Sequence, residues 1–356
     1  MNRKWQVNEI DNNEIERIEK SFNISKLVAS IIAGKGLKTD EEIEVFLHPR
    51  RTDFHNPFLM PDMEKAANRI VEAIKNNEKV AIYGDYDVDG ITSSTVLHRF
   101  LKDRGLNTNI YIPNRLCEGY GLNAEEIKKI AEEGHTLMIT VDCGITGKAE
   151  VELAKSLGID TIVTDHHEPP EELPEAIAVV DCKRKDNKYP FRELAGVGVT
   201  FKLTQAISKI LNLKEEENLK YLDIVCIGTI SDIVPLVDEN RTISKLGLML
   251  LNQTKNVGLK VLLESLGYKK IDSTAVSFGI APRVNACGRM GYERVALELF
   301  LTDDVKRARE LAKELNDFNT KRQEIEKRIF EEALEQIKNG QEEKSWSGGV
   351  DHHCFV

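Results

Sequence analysis

The sequence predicts an α/β protein built on a doubly wound, mainly parallel sheet, with a helical appendage before it and a long connecting helix after it. Three observations carry this. Short apolar runs at Lys79–Tyr83, Leu137–Val141 and Thr161–Thr164 recur between segments of helical spacing. The runs are apolar throughout rather than alternating, as in strands covered by helices on both faces. From Thr200 onward the pattern becomes mostly helical.

Taken in order, residues 25–49 show helical spacing through Leu27, Ile31, Ile32, Ile43, Phe46 and Leu47 and end at Pro49, a helical appendage. Residues 61–77 place Ala66, Ile70, Val71 and Ile74 on one helical face and feed the first strand. A helix beginning near Thr92 and running through Val96, Phe100 and Leu101 follows, then a strand near 109–112 and a helix over 124–132. After the strand at 137–141 come a helix near 149–157, the strand at 161–164 and a short strand near 177–180. The run 303–339 is the longest periodic segment, and its apolar spacing drifts as a broken or kinked helix would; Gly340 is a candidate C-terminal cap. The expected organisation is an appendage over 1–55, a main domain over 56–302 with a helical subdomain from about 200, the connecting helix over 303–340 and a disordered tail over 341–356.

A chain of 356 residues exceeds the usual size of a single core, so appendages or a second domain are expected. The excess of 59 acidic over 49 basic side chains argues against a simple electrostatic sleeve around nucleic acid, so any groove for it must be local. Six scattered cysteines show neither a CxxC pair nor a disulfide spacing, which fits reduced thiols in a cytoplasm. No segment approaches the roughly 18 apolar residues of a spanning helix, and the expectation is a cytoplasmic protein without membrane contact.

In a doubly wound sheet, ligands bind outside the carboxyl ends of the strands, so charged residues that follow apolar strands come first. The first strand runs into YGDYDVDG, where Asp85, Asp87 and Asp89 crowd three carboxylates into five residues. LMITV runs into Asp142, TIVT runs into Asp165, His166 and His167, and Asp232 closes a further apolar segment. Carboxylates this close repel one another unless protonated or bound to cations. Oxygen-rich ligation with one or two imidazoles suits Mn²⁺ or Mg²⁺ better than structural zinc. The ligand count suggests two ions, and a metal pair about 3.5–4 Å apart promotes phosphoester hydrolysis. Singly, a DxD after a strand is as readily a helix cap, and a His-His pair in a loop is commonly bland. Their joint appearance at successive strand ends favours a metal site.

Read together, YGDYDVDG, VDCG, TDHH and SDIVPL resemble, in order and spacing, the four motifs of the DHH phosphoesterase superfamily. The stretches FLHPR, FHNPFLMPDMEKA, YIPNRLCEGYGL, AGVGVTFKL and APRVNACGRM resemble its RecJ subgroup, and the likeness runs from about Leu27 to about Ile329. The resemblance implies that Asp87, Asp89, Asp142, His166 and Asp232 hold two divalent cations, Mn²⁺ or Mg²⁺, with Asp142 bridging and Asp85 in or beside the ligand shell. Tyr83 stands where other members place a histidine. His167 would contact the scissile phosphate or orient the ligands.

The implied activity is processive 5′-to-3′ hydrolysis of single-stranded DNA in repair and recombination, with a single-strand-binding protein and a helicase as implied partners. Arg115 is the candidate for a terminal phosphate, Arg283, Asn285 and Arg289 for the DNA backbone, Gly288 for close approach of main chain to DNA, and Tyr120 for a base. Against each arginine stands a structural role in the core, and against Tyr120 ordinary packing. Alternatives are a phosphodiesterase or phosphatase acting on short oligonucleotides or small nucleotides, a scaffold that has lost its chemistry, or an inactive fragment. RecJ-type chains continue past the connecting helix into a second lobe, so a truncation is expected, and SWSGGVDHHCFV does not match the family's continuation. Its DHHC string lacks the cysteine-rich and transmembrane context of an acyltransferase. GITGKA is an incomplete phosphate loop that reads as a helix cap.

Overall fold

The computed structural model describes residues 10–114, 119 and 121–338. Arg115, Tyr120, Gly340 and the tail lie outside these residues. Three small helices, α1 (Asn12–Phe22), α2 (Lys26–Gly34) and α3 (Asp40–Leu47), share a core of Ile15, Ile18, Ala29, Ile32 and Ile43. The single helical stretch expected over 25–49 is thus two helices, with a turn closed by a capping box between Thr39 and Glu42. Leu27 and Ile31 do not enter this core; both are exposed, because the face of α2 that packs is the one carrying Ala29 and Ile32.

Helix α4 (Met63–Asn76) leads into β1 (Lys79–Gly84), followed by α5 (Val88–Lys102), β2 (Asn107–Tyr111), α6 (Ala124–Glu132), β3 (Leu137–Val141), α7 (Lys148–Ser156), β4 (Asp160–Asp165) and β5 (Ala178–Asp181). All neighbouring strands pair in parallel, in the order β2-β1-β3-β4-β5. Strands β1, β3, β4 and β5 are buried almost throughout because both sides of the sheet are covered, whereas the edge strand β2 (NTNIY) is polar and partly exposed. Val80 and Ile82 join α4 and α5 in the main core, whereas Ala81 and Tyr83 point the other way, onto Ile127 and Ile130 of α6. The chain leaves β1 for one side of the sheet and resumes at β3 on the other. The crevice at that switch, outside the carboxyl ends, is where such a sheet places ligands.

The helical half comprises α8 (Gly196–Ile210), the short α9 (Glu216–Leu219), α10 (Leu222–Ser231), α11 (Asp238–Leu251), α12 (Val257–Leu266), the single turn α13 (Ser273–Ala275), α14 (Ala281–Arg289), α15 (Glu293–Leu301) and α16 (Val305–Lys338). Helices α8 and α10 pack on α5, continuing the sheet's covering layer. The break expected in the last segment does not occur: α16 is one helix of 34 residues. Its pattern drifts for another reason. Ala308, Leu311, Ala312 and Leu315 are buried where α16 crosses α12, α14 and α15, but Phe330, Leu334 and Ile337 project from a half that leaves the body, so no single face governs the spacing. Among the described residues no helix is long and apolar enough to cross a membrane.

One buried ion pair ties these layers together. Lys202 Nζ lies 2.7 Å from Glu239 Oε1, and neither side chain is solvent-accessible. Lys202 also donates to the His55 carbonyl, the His55 N–H donates to Glu239, and the Tyr189 hydroxyl donates to the other Glu239 oxygen. Burial pulls the Lys202 ammonium below its ordinary pKa, and Glu239 opposes that pull. Removing one partner leaves the other charge buried and unpaired. Lys202→Met is therefore expected to destabilise the chain by about 3–5 kcal/mol in urea unfolding. The double variant Lys202→Met/Glu239→Gln should recover much of the loss, and equal stability of Lys202→Met and wild type would contradict the pairing.

Candidate metal centre

The first acidic cluster is built by the turn between β1 and α5. Asp87, rather than a residue near Thr92, begins the helix: its Oδ1 accepts from the N–H groups of Asp89 (2.8 Å) and Gly90 (3.0 Å). Capping sets α5 in register and places Asp89 in its first turn, near the positive end of the helix dipole. The Asp89 carboxylate in turn accepts from the N–H of Gly196 (2.6 Å) and Val197 (2.8 Å) at the start of α8. Two helix N-termini thus meet across one carboxylate.

Asp142 follows β3 in the left-handed region (φ 60°), a conformation aspartate tolerates, while its N–H donates to the Thr164 carbonyl and carries the sheet ladder one residue further. A Cβ at position 196 would collide with the Asp142 carboxylate, so only glycine lets α8 approach. From the end of β4, Asp165 organises both histidines. Its Oδ2 accepts from Ile145 N–H (3.0 Å); its Oδ1 accepts from His166 N–H (2.7 Å) and is 2.7 Å from His167 Nδ1. His166 Nε2 then lies 3.1 Å from Asp142 Oδ1 and 3.8 Å from Asp89 Oδ2, and its Nδ1 lies 3.7 Å from Asp232 Oδ2 at the end of α10.

Three overlapping groups result, each with ligand atoms within 4.8 Å of one another: Asp85, Asp87 and Asp142; Asp89, His166 and Asp232; Asp142, His166 and His167. All seven residues expected at the metal site meet at one rim. Asp142 and His166 belong to two groups each; a carboxylate such as that of Asp142 can bridge two ions, whereas a neutral imidazole ligates one. Asp85 Oδ1 and Asp142 Oδ1 are buried without a hydrogen bond; His166 Nε2 lies 3.1 Å from Asp142 Oδ1 but is not aligned to donate to it. Buried carboxylate oxygens without donors are costly, and a divalent cation satisfies them directly, so the donor set fits hard cations.

The electrostatics agree. Burial, and then the neighbouring Asp87, pushes Asp85 up to about 7; the same two causes push Asp232 up to about 6. Burial raises Asp87 as well. Burial and then Asp232 raise Asp89, and burial and then Asp89 raise Asp142, both well above the carboxylate range. Burial lowers His166 to about 4, leaving a neutral imidazole able to ligate. His167 moves up because of its bond to Asp165. Burial alone would raise Asp165, but His167 and the donated N–H groups outweigh it, and its net shift is downward. Asp165 is the orienting residue that the sequence reading left out of the site; its position at a strand end before two histidines was the available signal.

Of the residues expected to touch DNA, those described make contacts within the protein. Arg283 donates to Asn316 Oδ1 (2.6 Å) and to the Gly279 carbonyl (2.7 Å), joining α14 to α16. Asn285 Oδ1 accepts from Val88 N–H (3.2 Å), an otherwise spare donor of the first turn of α5. The close approach that Gly288 permits is to the Tyr86 carbonyl, where a Cβ would collide. Helix α14 therefore buttresses the aspartate turn. Arg289 is exposed, and its charge lowers the Asp87 pKa.

Acids and histidines placed in this way accompany a match to the DHH family. The family model described as "DHH family, N-terminal domain" matches residues 79–229. The single-stranded-DNA-specific exonuclease RecJ of Bacillus subtilis is 42% identical over 337 residues, 94% of this chain and 42% of that protein. RecJ of Thermus thermophilus is 37% identical over 290 residues, 81% of this chain and 42% of the relative. Among solved structures, an exonuclease RecJ bound to manganese superimposes with a TM-score of 0.73 at 37% identity, covering 78% of this chain and 70% of that one. The Thermus thermophilus RecJ in complex with Mn²⁺ gives 0.79 at 31% identity, covering 91% and 46%. The chain belongs to the DHH superfamily and, within it, to the RecJ family. It spans less than half the length of the two curated relatives named here.

With cations chelated away, each raised carboxyl binds its proton more tightly folded than unfolded. Protonation then favours folding, and stability falls as pH rises from the ordinary carboxylate range through the value of about 7 reached by Asp85. The expected slope from this site is about 1.4 kcal/mol per pH unit for each proton so linked. Urea unfolding across pH in EDTA and in Mn²⁺ should give curves whose separation widens as pH rises. Parallel curves would contradict the assignment.

Proposed function

We propose that this chain is a divalent-metal-dependent phosphodiesterase that removes nucleotides from the 5′ end of single-stranded DNA. The observation that carries the reading is the set of three overlapping ligand groups, together with the buried oxygens of Asp85 and Asp142 that lack donors. Asp85, Asp87 and Asp142 would hold one cation and Asp89, His166 and Asp232 the other, with Asp142 between them. Cations of this kind, Mn²⁺ or Mg²⁺, supply Lewis-acid charge for attack of water on phosphorus and for departure of the leaving oxygen. The RecJ relatives' names and the manganese in two neighbouring structures support the substrate and the metal.

The chain's own residues do the positioning. Asp165 fixes both imidazoles, and His167, half exposed and raised in pKa by its bond to Asp165, would offer its other ring nitrogen to a phosphate oxygen. Asn285 and the cap at Asp87 hold the aspartate turn rigid while charge develops at phosphorus. Arg289, exposed beside that turn, adds a cation for the incoming backbone. Residues 56–302 would form the catalytic unit. The reading takes the cytoplasm as the setting and single-stranded DNA as the partner, delivered by a single-strand-binding protein and a helicase.

The test uses the chain with Mn²⁺ and a 5′-labelled single strand. Labelled mononucleotide should appear before shorter strands accumulate. Asp142→Asn, which keeps the left-handed backbone but removes one charge, should lower the rate by at least about a hundredfold. Faster turnover of a dinucleotide than of a long strand would favour a small-substrate phosphodiesterase. An intact strand and an intact dinucleotide would reject hydrolysis altogether.

A further inference from the structure

Beside the metal centre stands a residue whose conformation and exposure are hard to reconcile with a purely structural role. Among the described residues, the non-glycine positions with positive φ are Asn23, Asp62, Asn77, Asp142, Asn212, Asp238 and Ile233. Six of these seven are asparagine or aspartate, which visit the left-handed region readily because their short polar side chains bond locally. Ile233, at φ 62°, is the exception. A β-branched side chain clashes with its own backbone there, and such strain collects where function over-determines the fold.

Nothing in the described chain compensates for this strain through packing. The Ile233 side chain is 89% exposed, the highest value among the exposed large apolar residues. If the turn only required a positive φ, to end α10 and aim Asp232, glycine or asparagine would meet the requirement without the clash. An isoleucine adds one thing to that turn, an apolar surface directed at solvent. Its Cα is one residue, about 3.8 Å, from that of Asp232. Asp232 Oδ2 lies 3.7 Å from His166 Nδ1, within a candidate ligand group.

We propose that Ile233 is a substrate-positioning residue: its side chain forms the apolar rest for the sugar and base of the nucleotide whose phosphate lies over the metal centre. This rests on the phosphodiesterase reading above and adds the means by which a strand is gripped without regard to sequence. Every nucleoside offers an apolar face, and an aliphatic side chain makes no hydrogen bond that would select among bases. The contact also suits the local charge. An aliphatic side chain adds no charge to the carboxylate cluster and leaves attraction of the phosphates to the cations, His167 and Arg289.

The experiment compares wild type with Ile233→Gly, Ile233→Asn and Ile233→Val. It measures affinity for a fluorescein-labelled oligo-dT in Ca²⁺, steady-state hydrolysis of the same strand in Mn²⁺, Mn²⁺ uptake by calorimetry, and urea unfolding. Glycine and asparagine fit the backbone better, so both variants should unfold at higher urea than wild type and take up Mn²⁺ with affinity within about twofold. Loss of the apolar contact should nevertheless weaken strand binding and raise KM by about fivefold to tenfold, with kcat changed less than about twofold. Ile233→Val, which keeps most of the apolar surface, should bind nearly as wild type does. A purely structural role would move stability but not the split between KM and kcat. Equal strand affinity and KM in Ile233→Gly and wild type would overturn the proposal and leave the exonuclease reading standing. A wild-type chain that neither binds nor cuts the strand would overturn both.

Discussion

Mutual repulsion among buried carboxylates is the constraint around which this chain is arranged. Asp85, Asp89 and Asp142 are almost wholly shielded from water, Asp87 and Asp232 are only partly open to it, and every one is pushed toward its protonated form. Left to themselves such groups would disrupt the rim that carries them. The surrounding structure offsets part of the cost with directed N–H groups: two from the first turn of α5 to Asp87 and two from the start of α8 to Asp89. It leaves the rest, the donorless oxygens of Asp85 and Asp142, for a cation.

The rest of the fold supplies rigidity to that rim. The parallel sheet fixes the relative positions of Asp85, Asp142 and Asp165, because β1, β3 and β4 are hydrogen-bonded neighbours. Helix α8 is held against Asp142 by a glycine and tied from its other side by the Lys202–Glu239 pair. Helix α14, remote in sequence, presses on Tyr86 and bonds Val88, so the aspartate turn is clamped between sheet and helical layer. A site meant to stabilise charge at phosphorus benefits from ligands that need not reorganise when the reaction occurs.

The strands and the cluster of acids and histidines at their ends were legible in the sequence because they follow simple rules. Strands buried on both faces read as unbroken apolar runs, and acids placed directly after them mark the carboxyl rim. Local features with ambiguous signals were harder. The DVDG segment reads as a loop until Asp87 is seen to cap α5, and the sparse Ile15 and Ile18 gave α1 no pattern strong enough to assign. Contacts made only in three dimensions were not legible at all. The collision that forces glycine at 196 and the service of Asn285 and Gly288 to the aspartate turn depend on segments far apart in sequence. The APRVNACGRM segment forms α14, whose Arg283 and Asn285 bond Asn316, Gly279 and Val88, contacts that its sequence alone does not reveal.

The central claim is that chain-distant side chains at one sheet rim jointly hold a pair of divalent cations. Crystals of the chain soaked in MnCl₂ and measured at the manganese absorption edge test it most directly. Two anomalous peaks about 3.5–4 Å apart are predicted, one against Asp85 and Asp87, the other against Asp89, His166 and Asp232, with Asp142 touching both. A map without density among these residues, or with manganese only at surface carboxylates elsewhere, would contradict the account.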